Sequence, residues 1–226
     1  MENSYYHLYN RGVEKRLIFL DDQDYSVFLS YVKEYLLPKN TKELQRVISD
    51  SNATWKEKDK AVKLLRMNNF FGKITLLAYC LMPNHFHFLI KQKDANTIDS
   101  FMNSFATRYT MYFNLKHKRV GTLYQDQYKA VLVSTDEQLL HLSRYIHHQS
   151  FMSLASQGNA LRSWQAREGM QPSSYPEYLG KRKTEWIKSR EILDFFSKSN
   201  PKLSYKSFME SSDQDLSPIS KVVIED

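Results

Sequence analysis

From His85 onward the stretch Met82–Lys91 (Met-Pro-Asn-His-Phe-His-Phe-Leu-Ile-Lys) alternates with a period of two. A strand built from it carries His85, His87 and Leu89 on one side and Phe86, Phe88 and Ile90 on the other. Pro83-Asn84 marks a turn just before it, so the apolar run Lys73–Leu81 predicts a second strand that pairs with it as a hairpin. Ser4–Asn10 reads as a first strand, ended by Asn10-Arg11-Gly12. Helical spacing follows at Tyr25, Phe28, Leu29, Val32 and Leu36, with Asp21 or Asp22 as the cap and Pro38 as the stop. A second long helix, capped by Asn96 or Thr97, aligns Ile98, Phe101, Met102, Phe105, Tyr109, Tyr112 and Phe113. The Val120-Gly121 turn then leads into a fourth strand over roughly 123–133. Thr135 and Gln138 form a capping-box pair ahead of a helix with Leu139, Leu142 and Ile146 on its apolar stripe. The order strand–helix–strand–strand–helix–strand predicts an α+β, ferredoxin-like (βαββαβ) antiparallel sheet with helices on one face, to which the last helix is added.

Two regions depart from this regularity. Residues 39–68 hold eight basic and four acidic side chains and few large apolar ones before Val62, which predicts a mostly helical, solvent-facing insertion. Beyond residue 150 the periodicity weakens. Trp164, the Pro172–Tyr175 turn and a helix at 184–197 suggest a small basic extension over 151–210, and 211–226 reads as a flexible tail. The division expected is therefore a main domain at 1–150, carrying the insertion, followed by extension and tail.

Composition narrows the function. The 226-residue chain has a net charge of +7, a pI near 9.2 and fifteen tyrosines, a balance suited to phosphate contact and base stacking. The lone cysteine, Cys80, sits in an apolar run, which excludes a disulfide within the chain and fits a reducing cytoplasm. No apolar run approaches a membrane span, and Met1-Glu2-Asn3-Ser4 has no signal-peptide core, so no membrane association is expected.

The candidate chemistry gathers at few positions. His85 and His87 leave the same face about 6.5–7 Å apart, a spacing at which two imidazoles can chelate one metal ion. The plain alternative is a strand with two polar residues on its wet face. Tyr145 and Gln149, four residues apart, share one face on the flank of the last helix's apolar stripe and can look across at the sheet. Arg108, Lys116, Lys118, Arg119 and Lys129 face a single acid, Asp126, within 108–129, with Tyr112, Tyr124 and Tyr128 interleaved. That mixture, with Arg11 in the first turn, reads as a surface for single-stranded nucleic acid.

Three motifs in this order resemble a family: Tyr6-His7-Leu8-Tyr9-Asn10-Arg11-Gly12, the Met82–His87 histidine motif, and Tyr145-Ile146-His147-His148-Gln149, with Ser173-Ser174-Tyr175 as a further element. The chain resembles the single-tyrosine HUH transposases, of the insertion-sequence and REP-associated types. The resemblance implies metal-dependent cleavage and rejoining of single-stranded DNA, at hairpin-forming sites. It makes His85, His87 and Gln149 the ligands of a divalent metal, Mg²⁺ or Mn²⁺, and Tyr145 the nucleophile that forms a 5′-phosphotyrosine. It also admits a homodimer in which the tyrosine helix reaches the partner's site. Gln149-Ser150 stands where REP-associated relatives read asparagine-proline; the insertion-sequence type does use glutamine there.

Three other readings compete. His148 rivals Gln149 as third ligand. A ferredoxin-like module could hold nucleic acid without cutting it, but would not need the histidines, Tyr145 and Gln149 together. A zinc hydrolase with a histidine-x-histidine motif would continue with an Asp-His pair, where this chain has Phe88-Leu89-Ile90.

Overall fold

A computed structural model of the chain describes residues 1–152, 171–211, 217–220, 222 and 223. Four strands, β1 (Ser4–Arg11), β2 (Ile74–Met82), β3 (His85–Gln92) and β4 (Lys129–Val133), form one sheet in the order β2-β3-β1-β4 with every pairing antiparallel. With helices α1 (Asp22–Leu36) and α4 (Thr97–Lys116) as crossovers, this is the α+β, ferredoxin-like arrangement expected. Asp21 caps α1 by accepting from the Asp24 amide, and Met82 pairs with His85 across the two-residue Pro83-Asn84 turn.

Strand parity sorts the core into two. Leu8, Phe86, Phe88 and Ile90 join Phe28 and Val32 of α1 and Phe101, Phe105 and Tyr109 of α4 in one buried cluster. On the other face, Cys80, Met82, Leu89 and Val133 meet Leu139, Leu142 and Ile146 of α5 (Asp136–Met152). A bulge between Leu76 and Ala78 lets Leu77 and Ala78 both join this second cluster while Tyr79 returns to the first. Burying both faces explains why β2 reads as a continuous apolar run.

The insertion is a helical hairpin, α2 (Thr41–Ser49) and α3 (Trp55–Arg66), the latter opened by a Thr54–Glu57 capping box. Ala61 is its one buried helical residue. Three short helices, α6 (Tyr175–Tyr178), α7 (Arg190–Leu193) and α8 (Tyr205–Glu210), follow in the extension.

Three expectations are corrected. The fourth strand begins at Lys129, because the segment before it is drawn against the first turn: the Val13 amide donates to Leu123 O (3.0 Å) and the Gln125 amide to Arg11 O (2.9 Å). The helix expected at 184–197 shrinks to α7, because Ile187 bridges the edge strand at Leu76 and the Lys188 amide donates to Leu76 O (2.9 Å). The tail does not dangle where it is described: Ile219 and Val222 are each 1% exposed and belong to the second core. Trp164 lies outside the described residues.

Candidate active site

In β1, the strand beside β3, Tyr9 pairs with His87 and Arg11 with His85. Parity then places His7 and Tyr9 on the same face as the two histidines of β3, the face that α5 covers. The His85 and His87 rings lie 4.9 Å apart, and Tyr145 meets His87 edge-on at 5.7 Å and His7 at 6.3 Å. Tyr9 closes the group, 4.8 Å from His7 and 5.8 Å from His87. α5 can deliver Tyr145 there because Leu142 and Ile146, its neighbours on the helix, are fully buried against the sheet.

The hydrogen bonds fix how these rings are protonated. Val222 O can only accept, so His7 donates from Nδ1 (2.9 Å) and its Nε2 holds a lone pair. That nitrogen must accept from His87 Nδ1 (2.9 Å), which leaves His87 Nε2 as a lone pair, and this atom is buried without a partner. His85 donates Nδ1–H to Asn84 Oδ1 (2.6 Å), leaving its Nε2 as the basic nitrogen. Burial lowers all three pKa values: His7 to about 4; His85 to about 4, with the Arg11 charge adding to the effect; and His87 well below the usual value, with His7, His85 and Arg11 adding to the effect. Neutral imidazoles with free Nε2 lone pairs are the form in which histidine binds a metal.

A cavity of about 360 Å³ opens beside these rings, walled by His85, His87 and Tyr145 and by Arg11, Lys15 and Lys129, among others. Gln125, Asp126 and Gln127 complete its rim, and Asn10 holds that loop by donating Nδ2–H to Asp126 O (3.1 Å). Lys15 was not foreseen. It sits in a tight turn where Glu14 and Lys15 adopt φ values of 55° and 57°, and a Cβ at Gly12 would lie 2.2 Å from Arg16 O. Only glycine fits that approach.

The expected site residues are thus partly brought together. His85, His87, Tyr145, Arg11 and Lys129 share the cavity, whereas Gln149, buried one helical turn beyond Tyr145, is not among its walls. His148 donates toward neither histidine; its Nε2 bonds Met209 O (3.0 Å). Among the described residues, no group of three or more His, Cys, Asp or Glu side chains is arranged to hold a metal, and both His7 nitrogens are engaged. The expected basic surface is spread out, and three of its cations have partners within the fold. Arg108 pairs with Glu34 (2.6 Å) over the Tyr31 ring, and Lys116 pairs with Asp21 (2.6 Å) and buried Asp24 (2.9 Å). Arg119 donates to Asn114 Oδ1 (2.8 Å) and Thr122 O (3.2 Å), which ties it to its own turn. Tyr124 is buried beside Phe86, so its ring offers no stacking surface; Lys118 is exposed but away from the cavity walls.

Residues 2–149 match the family model described as "Transposase IS200 like". The chain belongs to the IS200-like transposase family. Its function is accordingly that of a transposase, and members of this family are generally metal-dependent. No curated protein matches the chain. Among solved structures, a REP-associated tyrosine transposase bound to a REP hairpin aligns at 12% identity and a TM-score of 0.40, over 76% of this chain and 84% of that one. A protein described as a transposase from Deinococcus radiodurans R1 aligns at 16% identity and a TM-score of 0.28, over 64% of this chain and 89% of the other. The family assignment rests on the sequence match. Among the described residues, no helix is long and apolar enough to cross a membrane.

Proposed function

We propose that this transposase cuts and rejoins single-stranded DNA in the cytoplasm, at sites next to hairpins, with Tyr145 as nucleophile. The observation that carries the reading is the meeting of the Tyr145 ring, 5.7 Å from that of His87, with a buried and unpartnered His87 Nε2 at one cationic cavity. Residues 1–150 supply the chemistry; the extension packs against α5 through Tyr175, Tyr178 and Tyr205. His85 and His87 would hold a Mg²⁺ or Mn²⁺ ion through Nε2, with the Gln149 amide oxygen as third ligand. A bound divalent ion would neutralise charge on the phosphate and favour displacement at phosphorus. Arg11, Lys15 and Lys129 would hold the DNA backbone against the cavity.

In the cleavage step the Tyr145 oxygen bonds to the scissile phosphorus and the bond to the 3′ oxygen breaks. The phenol gives up its proton and the departing oxygen gains one, leaving a 5′-phosphotyrosine and a free 3′-hydroxyl. One phosphodiester replaces another, so an incoming 3′-hydroxyl can reverse the step without a nucleotide cofactor. Tyr145 and His87 meet within one chain, which supports a cavity built by a single subunit. The test is a denaturing gel of the protein with labelled hairpin oligonucleotide and Mn²⁺. Wild type should give a slow-migrating adduct, and Tyr145→Phe none while still binding DNA. His85→Ala and Gln149→Ala should suppress the adduct and lower Mn²⁺ affinity. An adduct surviving in Tyr145→Phe would assign the nucleophile elsewhere. DNA binding by wild type with no adduct on any hairpin would instead make the protein a binding module.

A further inference from the structure

His7 lies outside the set of groups that reaction uses, yet it is 1% exposed and spends both nitrogens on two long-range partners. One is His87, a metal ligand in the reading above, on which this inference rests. The other is the backbone carbonyl of Val222, 215 residues further along the chain. We propose that His7 is a positioning residue: it selects the tautomer of His87 that can bind metal, and the docked C-terminal segment locks His7 in the state that does so.

The argument is one of hydrogen-bond accounting. A neutral His7–His87 pair can share its proton in two ways. In the first, His7 Nδ1–H points at Val222 O, His87 Nδ1–H points at His7 Nε2, and His87 Nε2 is an open lone pair. In the second, both protons shift to the Nε2 atoms. His7 then turns a lone pair toward the Val222 carbonyl at 2.9 Å, where two acceptors repel. His87 would also carry a buried N–H with nothing to accept it, since its Nε2 has no partner. Only the first satisfies every donor, and it is the one that leaves a nitrogen free for a cation.

The far end of this relay is firmly seated. The Val222 amide donates to Ile219 O (2.8 Å), closing the turn that follows the 3-10 segment Ser217–Ile219, and Ile219 and Val222 are each 1% exposed in the core shared with α5. Val223, the next residue, reaches the cavity wall. The Val222 carbonyl, an acceptor 2.9 Å from Nδ1, defines the His7 tautomer. Metal affinity at β3 is thereby coupled to the docking of a segment some 135 residues beyond it.

The first experiment uses the unmodified full-length chain without metal. Imidazole ¹⁵N–¹H correlation spectra of ¹⁵N-histidine protein should show His7 and His87 each as the Nδ1–H tautomer. A His87 found as Nε2–H, or as an even mixture, overturns the proposal and needs no variant that must fold. The second is Mn²⁺ titration followed by the electron paramagnetic resonance of the free ion. His7→Phe keeps a ring but removes both contacts and should weaken binding roughly 10- to 100-fold. His7→Gln should restore most of the affinity, because its amide N–H can donate to Val222 O and its oxygen accept from His87. Equal affinity in wild type and His7→Phe, with thermal melts verifying that both are folded, overturns the proposal. If wild type binds no Mn²⁺ at all, the metal reading of the site fails, and the tautomer spectrum still decides the relay.

Discussion

The two faces of the sheet use the same strands for opposite ends. Toward α1 and α4, Phe28 packs edge-on against Phe105 (4.7 Å) and Tyr109 (4.9 Å) and touches Phe19, Phe86 and Phe88, so the interface is aromatic and dry. Toward α5, the apolar cluster also holds buried polar groups that are joined: His7 to His87, His147 to Ser174 Oγ (2.8 Å) and Tyr205 Oη (2.7 Å), and Tyr205 to Ser143 (3.1 Å). Both faces supply burial free energy; the second also supplies orientation. Consecutive residues of one strand, Phe86 and His87, divide the labour. A slip of one residue in register would exchange them and destroy both.

The comparison breaks most sharply with one substitution on each face. Tyr145→Phe should abolish the covalent adduct, a loss of at least about a thousandfold, and leave the melting temperature nearly unchanged. Phe28→Ala should do the reverse. It empties a fully buried site and should destabilise the fold by roughly 3–5 kcal/mol, while the molecules that remain folded still form the adduct. Calorimetry and the adduct gel, run on both variants, check the crossing.

Between pH 7 and 4.5, acid should act chiefly through the buried histidines of the α5 face. Burial lowers His7 to about 4 and His147 to about 3, while in the unfolded chain both titrate near 6.5. Between those values the unfolded state binds more protons, so stability is intact above pH 6.5 and falls as pH drops toward 4. His7 alone should contribute on the order of 3 kcal/mol of that loss. Urea midpoints at pH 7, 5.5 and 4.5 measure it, and His147→Gln should flatten the curve.

A smaller effect separates cavity cations from framework cations. Arg11→Gln or Lys129→Gln should each reduce the slope of log binding against log salt by about 1. Arg108→Gln, whose partner is Glu34, should leave the slope alone. The smallest effect belongs to the insertion: Arg46→Ala breaks an exposed pair with Glu43 and should move neither the melting point nor the adduct yield.

Much of this division was legible in the sequence. Strict alternation from His85 to Ile90 marked both faces, and the helical spacing of Phe28, Phe105 and Tyr109 marked the dry core. Tyr145 was legible only as a residue that could look across at the sheet, and the motif resemblance gave it a role. Less was readable where contacts override local pattern. Leu123 and Tyr124 look like the start of a strand, yet they are buried through a loop bonded to the first turn. Trp186 and Ile187 have helical spacing, but the open edge of β2 captures Ile187 as a bridge. Ile219 and Val222 lie in a short polar context with no periodicity to announce them. The cation pairs were hidden for the same reason: nothing near Arg108 or Lys116 in sequence reveals Glu34 or Asp24, which come from α1.

Asn69 closes the root of the helical hairpin. Its Nδ2 lies within reach of three carbonyls at the end of α1, Leu37 O (2.8 Å), Glu34 O (3.2 Å) and Tyr35 O (3.4 Å), and the next amide, Phe70, donates to Tyr35 O (2.8 Å). The chain therefore leaves and re-enters the fold at one stitched point, and everything between is a closed excursion. Such a point behaves like a socket. Lineages could lengthen, shorten or replace the module plugged into it without disturbing the sheet that carries the histidines, and an engineer could fit a different DNA-reading or tethering element at the same place.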